Sequence, residues 1–328
     1  MKYKTIVLFL VSLLLCSCAV LPRVEAQPVV EVASTEESLD DQSVDDSFVE
    51  EEQSLLYDPN DPSTYVVVAG EKVAWNSDWN VAIEPDSSLD IFDMEFSDFG
   101  DFFEEEYPVT VSSYTIAQGT AAETTVWHIH SENEGPTIYI SGGIHGDERA
   151  AWYAGVLMKD CTISCGDLYV LSQANIIGAN KVSRRVEGKE DPNRFFPGNP
   201  NGTLTQVLDY AIFSDIQDKN PDLVLDLHEA IVVSKSREFL GSTYIFTTLD
   251  GIDMLMFDLL AATEDGDICH NAFSATGPGP AGSLNSTVSN VLGIPVITVE
   301  TFRGFDIYRR IYDQLDTIQF ILEYYEMR

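Results

Sequence analysis

The sequence predicts an α/β protein: a mixed, mainly parallel sheet with helices on both faces, preceded by a disordered acidic tether. Three observations lead there. Runs of Val, Ile and Leu such as "PTIYISGGI" and "DLVLDLHEA" lack polar alternation, as strands covered on both sides do. Segments of helical character separate them, among them "ERAAWYAGVLMKD" and "YRRIYDQLDTIQFILEYY". Acidic residues are crowded into one region, with 24 of the chain's 54 acids against the single base Lys72 in residues 27–106.

The chain opens with "MKYKTIVLFLVSLLLCSCAV", two lysines ahead of an apolar run of about a dozen residues, the proportions of a signal peptide. It ends in Leu15-Cys16-Ser17-Cys18, which resembles a bacterial lipobox with Cys18 as the lipidated residue. Residues 1–17 are therefore expected to be a lipoprotein signal peptide. The mature chain would be exported and tethered to a membrane by a lipid anchor, in the periplasm or at the cell surface. Ordinary signal-peptidase cleavage and an uncleaved anchor are the alternatives. Residues 18–56 read as a disordered acidic linker, Ser-rich and self-repelling. Residues 57–106 form an acidic extension in which β-type "STYVVVAGEKVAW" precedes "DIFDMEFSDFGDFFEEEYP", where phenylalanine and acid mix without a period.

Residues 107–328 carry the regular pattern and are expected to be the catalytic domain. Strands are read at "PTIYISGGI", "GDLYVLSQAN", "DLVLDLHEA", "STYIFTT" and "IPVITVETF". Helices are read at "ERAAWYAGVLMKD", "TLTQVLDYAIFSDIQDKN", "IDMLMFDLLAATED" and the last amphipathic run. Ala272–Asn290 reads as a loop. Cys161 and Cys165 in "CTISC" form a local disulfide or stay inert thiols, since no second pair exists for a zinc knuckle. The net charge of −36 excludes a nucleic-acid partner, which needs a basic footprint.

Reactive residues collect at the strand ends, where ligands bind in open α/β sheets. His145 and Glu148 follow "IYISGGI", His228 ends "LVLDLH", and Glu300 ends "VITVE". A catalytic zinc takes three protein ligands and leaves a position for water, and His145, Glu148 and His228 supply such a His₂Glu set for one Zn²⁺. Asp226 shares a strand face with His228 and is placed to orient it, with Asp222 and Asp147 as rivals. His128 and His130 alternate along "VWHIH" and read as structural, as does His270. In "ANKVSRRVEGKEDPNRFFPG", Arg184, Arg185, Asn193 and Arg194 sit in a Pro/Gly-bounded loop, where arginine forks bind carboxylates and stabilise oxyanions.

"GGIHGDE", "DPNRFFPG", "LDLHEA" and "VITVET" follow one another in the order and approximate spacing of the zinc carboxypeptidase superfamily. The chain most resembles its succinylglutamate desuccinylase/aspartoacylase-like branch. The resemblance implies a zinc carboxypeptidase-like fold, with His145, Glu148 and His228 on zinc and Glu300 as general base and acid. It further implies that Asn193 and Arg194 hold the substrate carboxylate. An upstream arginine polarises the scissile carbonyl; counting from "SQAN" favours Arg184, with Arg185 beside it. Two departures bear on the substrate. Ala272–Asn290 has no tyrosine where carboxypeptidases proper carry one, and one helix follows Glu300 where aspartoacylases continue into a β domain.

The expected activity is cleavage of an amide bond in a small substrate with a free carboxylate, a peptide or cell-wall stem peptide. An N-acyl-amino-acid deacylase, a metal-holding binding module without turnover, and an adhesion lipoprotein working through residues 27–106 are the alternatives. A further expectation folds Asp90–Glu106 over the cationic substrate loop.

Overall fold

The structure, a computed structural model, describes residues 65–68, 71–74, 94–230, 241–249 and 251–328. The signal peptide, Cys18 and the linker lie outside the described residues, as does most of the acidic extension. Within that extension, β1 (Tyr65–Val68) and β2 (Glu71–Ala74) pair as an antiparallel ribbon.

Eight strands make the main sheet: β3 (Thr110–Ile116), β4 (Thr124–His130), β5 (Thr137–Gly142), β6 (Asp167–Leu171), β7 (Leu223–Ala230), β8 (Thr243–Phe246), β9 (Ser274–Thr276) and β10 (Val296–Phe302). Their order is β3-β4-β6-β5-β7-β10-β8-β9. The central run β6-β5-β7-β10 is parallel, while β3, β4 and β8 join antiparallel. Parallel neighbours need crossover helices, and these cover the sheet. They are α1 (Arg149–Met158), α2 (Ile176–Lys181), α3 (Leu204–Lys219), α4 (Ile252–Asp265), α5 (Leu284–Leu292) and α6 (Ile307–Tyr324).

Strand alternation builds two cores. Ile138, Ile140, Leu225, Leu227, Ile297 and Val299 pack with residues of α1, α4 and α6. Tyr139, Leu171, Val224 and Val296 pack on the other face with residues of α3 and α5. Each fully buried aliphatic side chain contributes about 1.5–3 kcal/mol of transfer free energy. That rigid frame sets where the strand ends point.

Two local readings change. Ala272–Asn290 is not a plain loop, since β9 and most of α5 lie within it. Ser283 caps α5 by accepting from Ser286 N, and Gly293 ends the helix at φ +70°; a polar helix between prolines and glycines has little apolar signature. The acidic aromatic stretch also differs. Over residues 94–106 it packs on α6 rather than over the substrate loop. Phe102 meets Tyr312 edge to face at 4.8 Å, and Phe103 N donates to Gln319 Oε1 at 3.1 Å. Phe99, Phe102 and Phe103 are buried in the α6-side core, so apolar burial decides where this segment goes despite its charge. Cys161 and Cys165 are free thiols.

Candidate active site at the strand ends

The parallel strands bring their C-terminal ends to one edge of the sheet. β5 leaves through Gly143, whose φ of +77° lies in the left-handed region that favours glycine. The turn then presses Gly146 onto α2, where a Cβ would lie 2.0 Å from the Gly178 carbonyl carbon. Trp152 Nε1 donates to Gly146 O at 3.2 Å and holds the turn from the helix side. These constraints aim His145 inward and make Glu148 the N-cap residue of α1. On the next strands, His228 and Glu300 are direct partners in the parallel β7–β10 register.

His145, Glu148 and His228 meet. His145 Nδ1 lies 2.8 Å from Glu148 Oε1, and His228 Nδ1 lies 2.7 Å from Glu148 Oε2. All three are buried. Each imidazole has a carboxylate on its other nitrogen: Asp191 Oδ1 at 2.9 Å from His145 Nε2, and Asp226 Oδ2 at 3.1 Å from His228 Nε2. A ring that donates through Nε2 leaves Nδ1 bare for a cation. Asn193 Nδ2 lies 3.2 Å from the same His228 nitrogen and cannot donate to it while Nε2 carries the proton directed at Asp226.

Electrostatics follow from this crowding. Burial works against the Glu148 carboxylate, but His145 and His228 outweigh it and hold its pKa well below the ordinary value. Burial likewise opposes charge on His228, yet Asp226 and Glu148 hold its pKa well above the ordinary value. Glu300 has no such cation of its own. Burial is the first cause of its rise to about 7, with Glu148 and Asp226 adding to it and the two histidines opposing. The pair of carboxylates, Glu148 and Glu300, is thus split into a permanent anion and a group that titrates near neutrality.

A cavity of about 370 Å³ opens over this edge, lined by His145, Glu148, Arg184, Arg194, His228 and Glu300 together with neutral groups such as Ile245 and Ser283. Arg184 donates to Glu148 Oε1 at 2.9 Å and to Asp191 Oδ2 at 3.1 Å. Asn193 reaches the wall with its amide engaged, because Leu284 N donates to Asn193 Oδ1 at 2.8 Å. Arg194 lines the cavity and donates to Asn193 O at 2.6 Å. Arg185 is not among the lining residues; its guanidinium turns to the Lys189 carbonyl.

Other residues escaped the sequence reading. Asp191, overlooked beside Asp226 and Asp147, holds His145 and also accepts from Asn193 N at 3.0 Å. Its Asp-Pro-Asn-Arg setting, a side-chain-stabilised turn, was the available signal. Asp147 instead pairs with Arg303 at 3.0 Å, and Asp222 accepts from Thr137 N at the far end of β5. Glu229 N donates to Glu148 Oε2 at 3.1 Å, and Ala150 N donates back to Glu229 Oε2 at 3.1 Å. Arg310 of α6 pairs with Glu229. No sequence spacing announces that exchange.

Residues 134–317 match the family model described as the succinylglutamate desuccinylase/aspartoacylase catalytic domain. The chain belongs to this family. Its named members are hydrolases. Among solved structures, the chain is similar to an aspartoacylase family protein from Mesorhizobium loti, with 18% identity, a TM-score of 0.52, and coverage of 68% of this chain and 71% of that one. It is also similar to the tripeptide-bound cell shape determinant protein Csd4 from Helicobacter pylori, with 18% identity, a TM-score of 0.53, and coverage of 67% of this chain and 56% of that one. At these identities the likeness concerns the fold. No curated protein matches the chain in sequence.

Proposed function

We propose that this chain is a zinc-dependent amidohydrolase that cleaves an amide bond beside a free carboxylate, and that it works as a carboxypeptidase on peptides or cell-wall stem peptides. One observation carries the proposal: two imidazole Nδ1 atoms facing the two oxygens of one buried carboxylate, with Glu300 alongside. The donor set fits zinc, because both rings have their other nitrogen against a carboxylate and Glu148 is anionic. His145, Glu148 and His228 would hold the ion. When bound, zinc supplies Lewis-acid activation of water and of the scissile carbonyl.

The remaining steps belong to the chain's own residues. Glu300 accepts the proton of the attacking water on its carboxylate and returns it to the leaving amine nitrogen. Burial already raises this carboxyl above its ordinary value in the metal-free protein, which favours its holding a transferred proton. Arg184 donates to the developing oxyanion, a contribution worth about 3 kcal/mol for one such donor. Arg194 binds the substrate carboxylate, while Asn193 shapes the wall and holds the start of α5 in place.

The peptide reading draws on the lipobox-like "LCSC", since an exported, lipid-anchored enzyme would meet peptides and cell wall. The family match favours a second reading, an N-acyl-amino-acid deacylase. The two separate in a panel of free C-terminal peptides, muropeptides and N-acyl amino acids, each with and without chelator. Chelator-sensitive release of C-terminal residues supports the first reading, and turnover of acyl amino acids alone moves the assignment to the second. No chelator-sensitive hydrolysis of any class rejects both.

A further inference from the structure

The described residues bring together a second group of two histidines and a carboxylate: His128 and His130 of β4 with Asp167 of β6. It lies on the antiparallel flank of the sheet. His130 and Asp167 are direct cross-strand partners, and His128 sits two residues back on the same face. Both rings converge on one oxygen. His128 Nε2 is 2.6 Å and His130 Nδ1 is 2.9 Å from Asp167 Oδ1. The group is partly open to solvent, with 25%, 44% and 30% of the three side chains exposed.

We propose that His128, His130 and Asp167 form a second metal site, for a borderline divalent transition ion such as zinc. Three reasons support it. The donors are two imidazole nitrogens and one carboxylate oxygen, a set suited to zinc, copper or nickel rather than to calcium or magnesium. All three donor atoms lie within 4.8 Å of one another. Tetrahedral coordination at about 2.0–2.2 Å places donors ~3.3–3.5 Å apart, so each ring need retreat from Asp167 by less than about 1 Å.

Packing holds the trio ready. His128 stacks on Tyr169 at 4.4 Å with planes 7° apart, which fixes that ring. The ordered β4–β6 ladder sets the spacing of His130 and Asp167 before any ion arrives. The ion would clip β4 to β6, leaving one or more positions for water. This site is independent of the catalytic proposal, because β5 and its turn separate it from His145 by roughly 20 Å of strand.

The test is zinc stoichiometry by equilibrium dialysis on the full chain. Wild type is expected to hold about two equivalents and Asp167→Asn about one, with hydrolase activity unchanged. One equivalent in both proteins overturns the proposal, as does a second equivalent retained by the variant. A measurement on wild type alone covers a variant that fails to fold. Zinc should slow diethyl pyrocarbonate modification of His128 and His130 at least several-fold, read residue by residue by mass spectrometry. Unchanged labelling of both would equally overturn it.

Discussion

The two histidine–carboxylate trios use similar donors in opposite settings. His145, Glu148 and His228 are buried, and their outer nitrogens face further carboxylates. His128, His130 and Asp167 stand on a strand flank in partial contact with water, and Asp167 serves both rings with one oxygen. Burial makes the first trio costly to assemble without a cation, since imidazoles and carboxylate have lost their hydration. It also makes that site strong once filled. The outer trio is cheap to assemble and correspondingly weaker. Chemistry needs the first kind of site, because a water-poor cavity strengthens every charge interaction within it.

The largest effects test whether the buried trio is the working one. His228→Ala should remove catalytic zinc and abolish turnover, measured as metal content and rate after dialysis; a retained catalytic equivalent would erase the distinction between the sites. Glu300→Gln should keep its zinc while the rate falls about 10²–10⁴-fold, the usual range for one general acid–base group. Asp191→Asn and Asp226→Asn should each weaken catalytic zinc binding about 10–100-fold, measured by chelator competition, with the outer site untouched.

Smaller effects concern the cost of burial. In metal-free protein the Glu300 carboxyl titrates near 7, above its unfolded value near 4.5. A raised folded value means the stabilising contribution is complete below pH 4.5 and is lost as pH rises through 7. Metal-free Glu300→Gln should therefore unfold later than wild type at pH 8, by about 1–3 kcal/mol, with the gap closing near pH 4. Chemical denaturation at both pH values checks this. Metal-free Asp167→Asn should change stability by no more than about 1 kcal/mol, because half-exposed pairs are worth little. A larger loss would show that the outer trio is structural even without an ion.

What the sequence disclosed follows from how each feature is encoded. The sheet was legible because fully buried strands write continuous apolar runs. The meeting of His145, Glu148, His228 and Glu300 was legible because parallel strands must end on one edge. The local Asp-Pro-Asn-Arg turn marks Asp191 as a turn-former, but its partner His145 lies 46 positions away in sequence and no local pattern records that pairing. Glu229 has no sequence signal of its own, since its bond to Glu148 Oε2 and the one it accepts from Ala150 pass through backbone N–H groups that carry no sequence mark. Helix α5 hid in polar residues, and Phe99, Phe102 and Phe103 hid among acids. In both cases tertiary packing overrode the local pattern. The alternation of His128 and His130 places both on one strand face, but period alone does not reveal the Asp167 carboxylate across the ladder.

The bond from Glu229 N to Glu148 Oε2, answered by Ala150 N donating to Glu229 Oε2, has a thermodynamic corollary. Glu148 opens a helix and Glu229 belongs to a strand 81 residues further on, so the chelating geometry exists only once those distant segments have docked. Partly folded species, with the segments apart, would offer a cation only scattered ligands. Zinc would then act as a selective witness, drawing the population toward the finished topology while giving its precursors little support.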